Sequence, residues 1–181
     1  MFLPEQPVIE TARLKIRLVQ ESDLPWLLEI NSEITRYLPY ESWKGMADGQ
    51  AWYDRMSARL AGGEAGQFVI EWRESGRVIG SCLLFRFEKA SARAELGYLL
   101  AREFWGTGCM LEAMNAFIAF AFGSMGLRRL EAEIDPRNVS SARLLERLGF
   151  VREGLLRQRW TLKGEVTDSS LYGLLCTDRP G

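Results

Sequence analysis

The chain has 181 residues, of which 47% are hydrophobic and 26% are charged, a balance that is ordinary for a globular protein with its own core. We therefore expect one domain over residues 1–181. Lysine and arginine number 23 and aspartate and glutamate 24, which argues against nucleic acid as a partner because such binding depends on excess positive charge. The absence of histidine excludes Ser-His-Asp triads and His-ligated metals, so any proton transfer must use other groups.

No apolar run is long enough to cross a bilayer, and the first residues do not form a basic segment followed by an apolar one. We therefore expect neither a membrane partner nor a signal peptide. The three cysteines, Cys82, Cys109 and Cys176, are an odd number in apolar or glycine-rich surroundings. This pattern favours reduced thiols and a cytoplasmic protein over a disulfide framework.

Hydrophobic periodicity predicts eleven elements in the order β-α-α-β-β-β-α-β-α-β-β. The strands are expected at residues 11–18, 67–72, 77–87, 92–100, 129–135, 150–157 and 169–175. The helices are expected from a Ser22 cap, over 47–60, over 110–122 and over 138–148. Such an order predicts an α/β fold, with a mixed sheet of about seven strands and helices on both faces.

A glycine-containing loop, residues 104–110, joins a predicted strand to the most apolar predicted helix. Its glycines allow the backbone to approach a ligand, and the N–H groups at the start of the helix can hold a phosphate. The loop lacks the Gly-Lys-Ser/Thr ending of a Walker loop, and Leu111 stands where the dinucleotide fingerprint needs a third glycine. From these residues alone, a phosphate site and an ordinary strand-to-helix turn are both open.

Two segments of the chain resemble the cofactor motifs of the GNAT (GCN5-related N-acetyltransferase) superfamily. The first comprises residues 96–100, 104–108 and 112–113, and the second comprises residues 138–150. Residues 11–14 and 153–154 resemble the Rim-type branch, which acetylates the N-termini of ribosomal proteins. The resemblance extends from Thr11 to Leu175. It implies a GNAT fold and an enzyme that moves acetyl from acetyl-CoA to a primary amine by direct attack in a ternary complex, without a metal.

The resemblance also implies which residues hold coenzyme A. The pyrophosphate would be bound by the backbone N–H groups of Gly106, Thr107, Gly108, Cys109 and Met110. The pantetheine arm would pair with the backbone of Leu99, Leu100 and Ala101, and Asn138 would form a hydrogen bond with it. One departure is Glu103, which stands where the family often has Arg or Gln, and we expect its carboxylate to point away from the diphosphate.

The resemblance assigns two catalytic roles. Glu95, on the strand before Gly97, would be the base acting through water, although alternation alone is equally compatible with a surface glutamate. Many GNAT enzymes use a tyrosine as the acid, but Leu145 stands at that position here. Ser141 is the nearest substitute, and the competing interpretation is a serine that satisfies backbone groups in the first turn of a helix. A thiol with a pKa near ~8.5 leaves tolerably without full protonation.

The resemblance places the acceptor beside two regions that contain Tyr37, Trp43 and Trp160, and ordinary packing is the alternative for each aromatic residue. A free α-amino group has a pKa of about 7.7–8.0 and lysine about 10.4, so an N-terminal amine needs less help to react. The favoured acceptor is a protein N-terminus. The alternatives are a small amine (amino acid, polyamine or aminoglycoside) and a catalytically weak acyl-CoA-binding regulator. A monomer and a homodimer both remain open.

Overall fold

A computed structural model describes residues 3–4, 6–33, 42–162 and 164–179. Its strands are β1 (Val8–Glu10), β2 (Leu14–Leu18), β3 (Ala65–Trp72), β4 (Val78–Glu88), β5 (Arg93–Leu100), β6 (Arg129–Ile134), β7 (Val151–Leu162) and β8 (Glu165–Leu175). Its helices are α1 (Leu24–Glu33), α2 (Met46–Ala61), α3 (Cys109–Gly123) and α4 (Val139–Arg147). The strands form one mixed sheet in the order β1-β2-β3-β4-β5-β6-β8-β7. The α/β prediction is confirmed, and β1 is a strand that the sequence pattern did not predict.

The sheet splits between its two central parallel strands. β5 pairs with β6 only at Arg93–Arg129, Ala94–Leu130 and Glu95–Glu131. Within the described residues, the rest of β5 is paired on one side only, with β4, and the rest of β6 is paired only with β8. A cleft therefore opens through the sheet beyond Glu95 and Glu131.

Strand alternation gives the sheet two distinct faces, each covered by helices. On one, which we call the α3 face, Leu96 and Phe68 pack with Met114 and Phe117 of α3, and Leu145 of α4 joins the same cluster. The opposite face, which we call the α1 face, buries Leu27 and Ile30 of α1 against Val69 and Val78, and Trp52 of α2 packs beside them. Neighbouring residues on one strand therefore point to opposite sides of the cleft.

The start of α1 differs from the predicted cap at Ser22. A 3₁₀ turn at Glu21–Asp23 precedes the helix, and Asp23, rather than Ser22, anchors it. The carboxylate of Asp23 accepts the backbone N–H of Gln20 at 2.8 Å and both terminal nitrogens of Arg17 at 2.8 Å. A buried ion pair with β2 thus fixes the start of the helix. In the described ranges, none of the helices combines the length and the apolar character that a membrane crossing requires.

Candidate active site

A cavity of about 310 Å³ lies in the cleft between β5 and β6. Because β5 alternates, Glu95, Gly97 and Leu99 line it from the α1 face, whereas Leu96 and Tyr98 line it from the α3 face. Its further lining includes Gln67, Ser81, Arg86, Glu133, Asn138, Ser141, Trp160, Thr167 and Ser169. The cavity therefore connects two sides of the sheet that carry different chemistry.

Two carboxylates meet on the α1 side of the cavity. Oε2 of Glu95 accepts a hydrogen bond from Nη1 of Arg86 at 2.6 Å, and Oε2 of Glu133 lies 3.9 Å from the same nitrogen. The other oxygen of Glu133 accepts the indole N–H of Trp160 at 2.6 Å. Burial, reinforced by the charges of Glu133 and Glu131, raises the pKa of Glu95 above its ordinary value, although Arg86 opposes the shift. A carboxylate with a raised pKa is a stronger base once it is ionised.

Two hydroxyl groups meet on the α3 side. The phenol oxygen of Tyr98 lies 2.7 Å from Oγ of Ser141, where either can be the donor. Burial raises the pKa of Tyr98 to about 12, so the phenol keeps its proton at neutral pH. Leu145 is fully buried in the core, and the tyrosine that faces the cavity comes from β5 instead of α4.

Asn138 connects this side to the start of α4. Its Oδ1 accepts the backbone N–H of Ser141 at 3.1 Å and the hydroxyl of Ser140 at 2.9 Å, which caps the helix. Ser141 thus has both features considered from the sequence, a first-turn position and a hydroxyl in the cavity. The hydrogen bonds of the Asn138 side chain to described residues use only Oδ1, so its Nδ2–H groups are available to a ligand.

The glycine loop exposes backbone at the start of α3. Gly106 and Gly108 have φ angles of 75° and 82°, and a Cβ built on Gly106 meets no atom within 4 Å. The first intrahelical hydrogen bond of α3 runs from the N–H of Glu112 to the carbonyl of Gly108, at 3.0 Å. The N–H groups of residues 109–111 precede this bond and therefore have no partner within the helix. Cys109 and Met110 have buried side chains, whereas Thr107 is exposed. Of the five N–H groups that the resemblance assigns to the pyrophosphate, that of Thr107 donates to the carbonyl of Phe104 and that of Cys109 to Oγ1 of Thr107, both at 3.4 Å. Those of Gly106, Gly108 and Met110 have no such bond among the described residues, so they are available to a phosphate.

Glu112, in the first turn of α3, forms hydrogen bonds with residues that immediately precede β2. Its Oε1 accepts the hydroxyl of Thr11 at 2.6 Å and the backbone N–H of Arg13 at 3.0 Å, and its Oε2 accepts Nε of Arg13 at 2.7 Å. Desolvation acts to raise the pKa of Glu112, but the hydrogen bonds from Thr11 and Arg13 outweigh it and lower the pKa. Nη1 of Arg13 also reaches the carbonyl of Thr107 at 3.4 Å. A cation thus lies beside the loop.

Glu103 does not place a free carboxylate at the loop. It forms an ion pair with Arg77 at 2.7 Å, and the Arg77 guanidinium also lies over the ring of Trp26 in α1. Its charge is therefore compensated on the side of α1. Arg102, the other charged residue before the loop, is exposed to solvent.

The part of β5 available to a ligand differs from the prediction. Ala101 donates its N–H to the carbonyl of Ile79 at 2.8 Å and accepts the N–H of Phe104 at 3.0 Å, so its backbone is fully engaged. Backbone orientation alternates along an antiparallel pair, so the groups of Leu99, opposite Ser81, also point to β4. The expectations for Leu99 and Ala101 are corrected accordingly.

The same alternation directs the backbone of Leu96, Tyr98 and Leu100 toward the cleft. At Leu100 the carbonyl accepts the indole N–H of Trp105 at 2.9 Å, so the N–H is the group that faces a ligand. A pantetheine arm would therefore pair with Tyr98 and Leu100, so Leu100 remains from the predicted set and Tyr98 takes the place of Leu99 and Ala101.

The aromatic residues predicted for the acceptor separate into three cases. Trp160 lines the cavity, as described above. Trp43 packs against Trp52, with ring centroids 5.2 Å apart, and its backbone N–H donates to Oδ1 of Asn31 at 2.7 Å. It belongs to the packing of α1 and α2 and is not part of the cavity lining that the structure describes, so its contact with the acceptor stays a prediction. Tyr37 lies outside the described residues.

Several cavity residues were missed by sequence reasoning. Tyr98 shares the period-two face of Leu96, and Glu133 alternates with Ala132 on the strand that faces Glu95, so both signals were present. No sequence pattern predicted that Arg86 lies at the cavity. It lies where the register between β4 and β5 shifts, and a regular alternation of side chains does not predict such a shift. Among the described residues, no group of Cys, Asp and Glu side chains is arranged to hold a metal ion.

Comparison with known proteins gives consistent results. The family described as "Acetyltransferase (GNAT) domain" matches residues 13–151. A protein of Bacillus licheniformis, named as the uncharacterized N-acetyltransferase p20, is 32% identical over 173 residues, which cover 94% of this chain and 97% of the relative. The [ribosomal protein uS5]-alanine N-acetyltransferase of Escherichia coli (strain K12) is 28% identical over 179 residues, covering 94% of this chain and 91% of the relative.

The fold also matches a solved structure. RimJ of Mycobacterium smegmatis, in complex with CoA-disulfide, superposes with a TM-score of 0.89 at 21% identity. The match covers 97% of this chain and 90% of that chain.

Proposed function

Because this chain belongs to the GNAT family and is an acyl-CoA-dependent N-acetyltransferase, we propose that it transfers acetyl directly to a protein N-terminal α-amine. The observation that carries this proposal is the cleft through the sheet. It has a carboxylate, Glu95, on one face and a hydroxyl pair, Tyr98 and Ser141, on the other. An amine and a thioester that enter from opposite faces would meet between a base and an acid.

Acetyl-CoA supplies the activated acetyl group, and the α3 side of the cleft has the features that hold it. The N–H groups of residues 106–110 would bind the pyrophosphate at the positive end of α3. The cleft-facing backbone of Tyr98 and Leu100 and the side-chain nitrogen of Asn138 would bind the pantetheine arm. This arrangement directs the sulfur toward the hydroxyl pair.

The proposed proton transfers use residues on both faces. Glu95 takes a proton from the acceptor ammonium through water, which frees the nitrogen lone pair to form the N–C bond. As the C–S bond breaks, Tyr98 donates its proton to the sulfur, and the nitrogen loses its second proton as the amide forms. That proton returns to the phenolate through water and the Ser141 hydroxyl, which gives one proton as it receives another. Burial raises the pKa of Tyr98 to about 12, so the phenol carries its proton before the reaction begins. General acid and base help of this kind is worth about 10²–10⁴ in rate.

An N-terminal α-amine is favoured as the acceptor for two reasons. Its pKa of about 7.7–8.0 suits a single carboxylate base better than a lysine amine of about 10.4. The named activity of the Escherichia coli relative, on the alanine terminus of a ribosomal protein, is of this kind. Glu133 and Trp160 would add a carboxylate and an aromatic edge beside the entering cation.

A small-amine acetyltransferase is the alternative enzyme, and a catalytically weak acyl-CoA-binding regulator is the alternative without turnover. Thioester cleavage should be measured with a panel of peptides that have free N-termini. The matched panel holds the same peptides with blocked N-termini and one internal lysine, together with amino acids, polyamines and aminoglycosides. Mass spectrometry should find acetyl only on free α-amines. Acetylation of small amines alone would contradict the peptide acceptor, and tight acetyl-CoA binding with no product would favour the regulator.

A further inference from the structure

Arg86 occupies an unusual position at the mouth of the cavity. It lies where the register between β4 and β5 shifts, between Phe85 and Glu88, and its φ angle of 52° falls in the left-handed region that a non-glycine residue rarely adopts. Strain of this kind persists where the surrounding structure enforces it, and it concentrates at functional sites. Here the irregular backbone brings the guanidinium to Glu95, at 2.6 Å.

The charges around Glu95 make this contact consequential. Carboxylates reach it from β6, namely Glu131 and Glu133. Glu131 is paired with Arg93 and Arg129 and Glu133 with Arg159, and Asp168 of β8 lines the same cavity. Arg86 is the cation that the structure places in hydrogen-bond contact with Glu95 among the described residues. Without it, Glu95 would have to ionise beside two carboxylates.

The Arg86 side chain is nevertheless accessible. Its exposed fraction is 48%, compared with 13% for the Glu95 side chain and 9% for that of Glu133. A half-exposed guanidinium on a long stem can return to solvent at low cost, whereas the two carboxylates are held in the cavity wall. An ammonium that enters the cavity would find the same two carboxylates as acceptors.

We infer that Arg86 is a positioning residue, the resident counter-ion of Glu95 in the free protein, and that the ammonium of the acceptor takes its place. This inference rests on the proposed function, because it assumes that Glu95 is the base. In the free protein the ion pair keeps Glu95 ready in its ionised form. In the ternary complex the acceptor supplies the positive charge, and Arg86 turns outward.

The test compares pH profiles of the wild type with R86Q and R86K, using one peptide so that titration of its amine is common to all. The acid limb of the pH profile of kcat/KM reports the pKa values of groups in the free enzyme. The acid limb of the kcat profile reports those of groups in the enzyme–substrate complex. In R86Q the acid limb of kcat/KM should move up by about one pH unit, because an opposite charge beside a carboxylate lowers its pKa by one to three units and exposure weakens the effect. The acid limb of kcat should stay in place, and R86K should restore the kcat/KM limb.

R159Q is the matched control, because Arg159 has a similar exposed fraction, 44%, and contacts Glu133 at 3.3 Å. It should leave the acid limb of kcat/KM unmoved. Gln and Lys both retain the Cβ of Arg86, so the backbone strain is the same in all three proteins, and thermal unfolding verifies that each one folds.

Each outcome bears on the inference. An unmoved kcat/KM limb in R86Q would overturn the counter-ion role, and equal shifts in kcat and kcat/KM would overturn the exchange with the acceptor. E95Q belongs in the same series to separate the two proposals. If E95Q abolishes the limb while R86Q does not move it, the inference on Arg86 fails and the role of Glu95 stands. If E95Q keeps the wild-type acid limb unchanged, beyond the limb that the peptide amine itself sets, both proposals are overturned.

Discussion

The phenol of Tyr98 and the hydroxyl of Ser141, 2.7 Å apart, join the central strand β5 to the first turn of α4 beside the cleft. In the proposed mechanism this contact supplies the acid, because Leu145 occupies the family's usual tyrosine position on α4 and is fully buried.

Replacing Tyr98 with Phe should lower kcat by about 10²-fold, because the sulfur loses its proton donor while the ring keeps its packing. The KM for acetyl-CoA should change little. Ser141→Ala should have a smaller effect, since the phenol remains. Steady-state kinetics of thiol release measures both variants, and a Tyr98→Phe enzyme with the kcat of the wild type would contradict the assignment.

Glu95→Gln should lower kcat/KM for the peptide by about 10²–10³-fold near neutral pH while acetyl-CoA still binds. In the wild type, activity should rise with pH as Glu95 ionises, and the midpoint should lie above the ordinary value of 4.5 because burial raises this pKa. Glu131→Gln is the control, because Glu131 is held by Arg93 and Arg129 at the paired end of the strands. Equal losses in the two variants would argue for a general effect of charge and against a base.

Gly106→Ala should weaken acetyl-CoA binding at least tenfold, because a methyl group would stand among the N–H groups that hold the pyrophosphate. Gly76→Ala is a matched control. Its φ angle is 70° against 75° for Gly106, and neither position has an atom within 4 Å of a new Cβ. Both variants should lose about 1–2 kcal/mol of stability to left-handed strain. Calorimetric titration that finds equal affinity in the two variants would remove the loop from the binding site.

Glu112→Gln should destabilise the protein at neutral pH by about 1–2 kcal/mol, because hydrogen bonds to a charged acceptor are lost. The folded state lowers the pKa of Glu112, so this stabilisation is complete above the unfolded value of about 4.5 and is lost as the pH falls through the folded value. Urea unfolding at several pH values measures it. The difference between wild type and variant should shrink below pH ~4.5, and a constant difference would exclude the ionised carboxylate as its source.

The sequence predicted those parts of the molecule whose signal is local. Helical and period-two patterns placed α2, α3 and β3 to β6 within a few residues, because each buries one regular face. β1 was missed because three residues are too few to display a period. The contact between Trp43 and Trp52 was not predicted, since the sequence does not reveal which way an aromatic side chain turns.

The site itself was predictable only in part. Glu95 and Ser141 were identified through family motifs, and the structure brings both to one cavity from opposite faces of the sheet. Tyr98 was overlooked because its partner lies 43 residues away and is brought near only by the divergence of β5 from β6. Arg86 depends on a left-handed backbone that no side-chain pattern encodes.

The most direct test of transfer across the cleft is an intact-mass measurement of the protein with acetyl-CoA, first without an acceptor and then with a peptide that has a free N-terminus. Cys82 and Cys109 are buried, the exposed Cys176 lies outside the cavity lining, and the cleft joins the two faces. The protein should therefore remain unmodified, and the peptide should carry acetyl on its α-amine. An acetylated protein that passes its acetyl group to the peptide would contradict direct transfer, as would a peptide that stays unmodified while acetyl-CoA is bound.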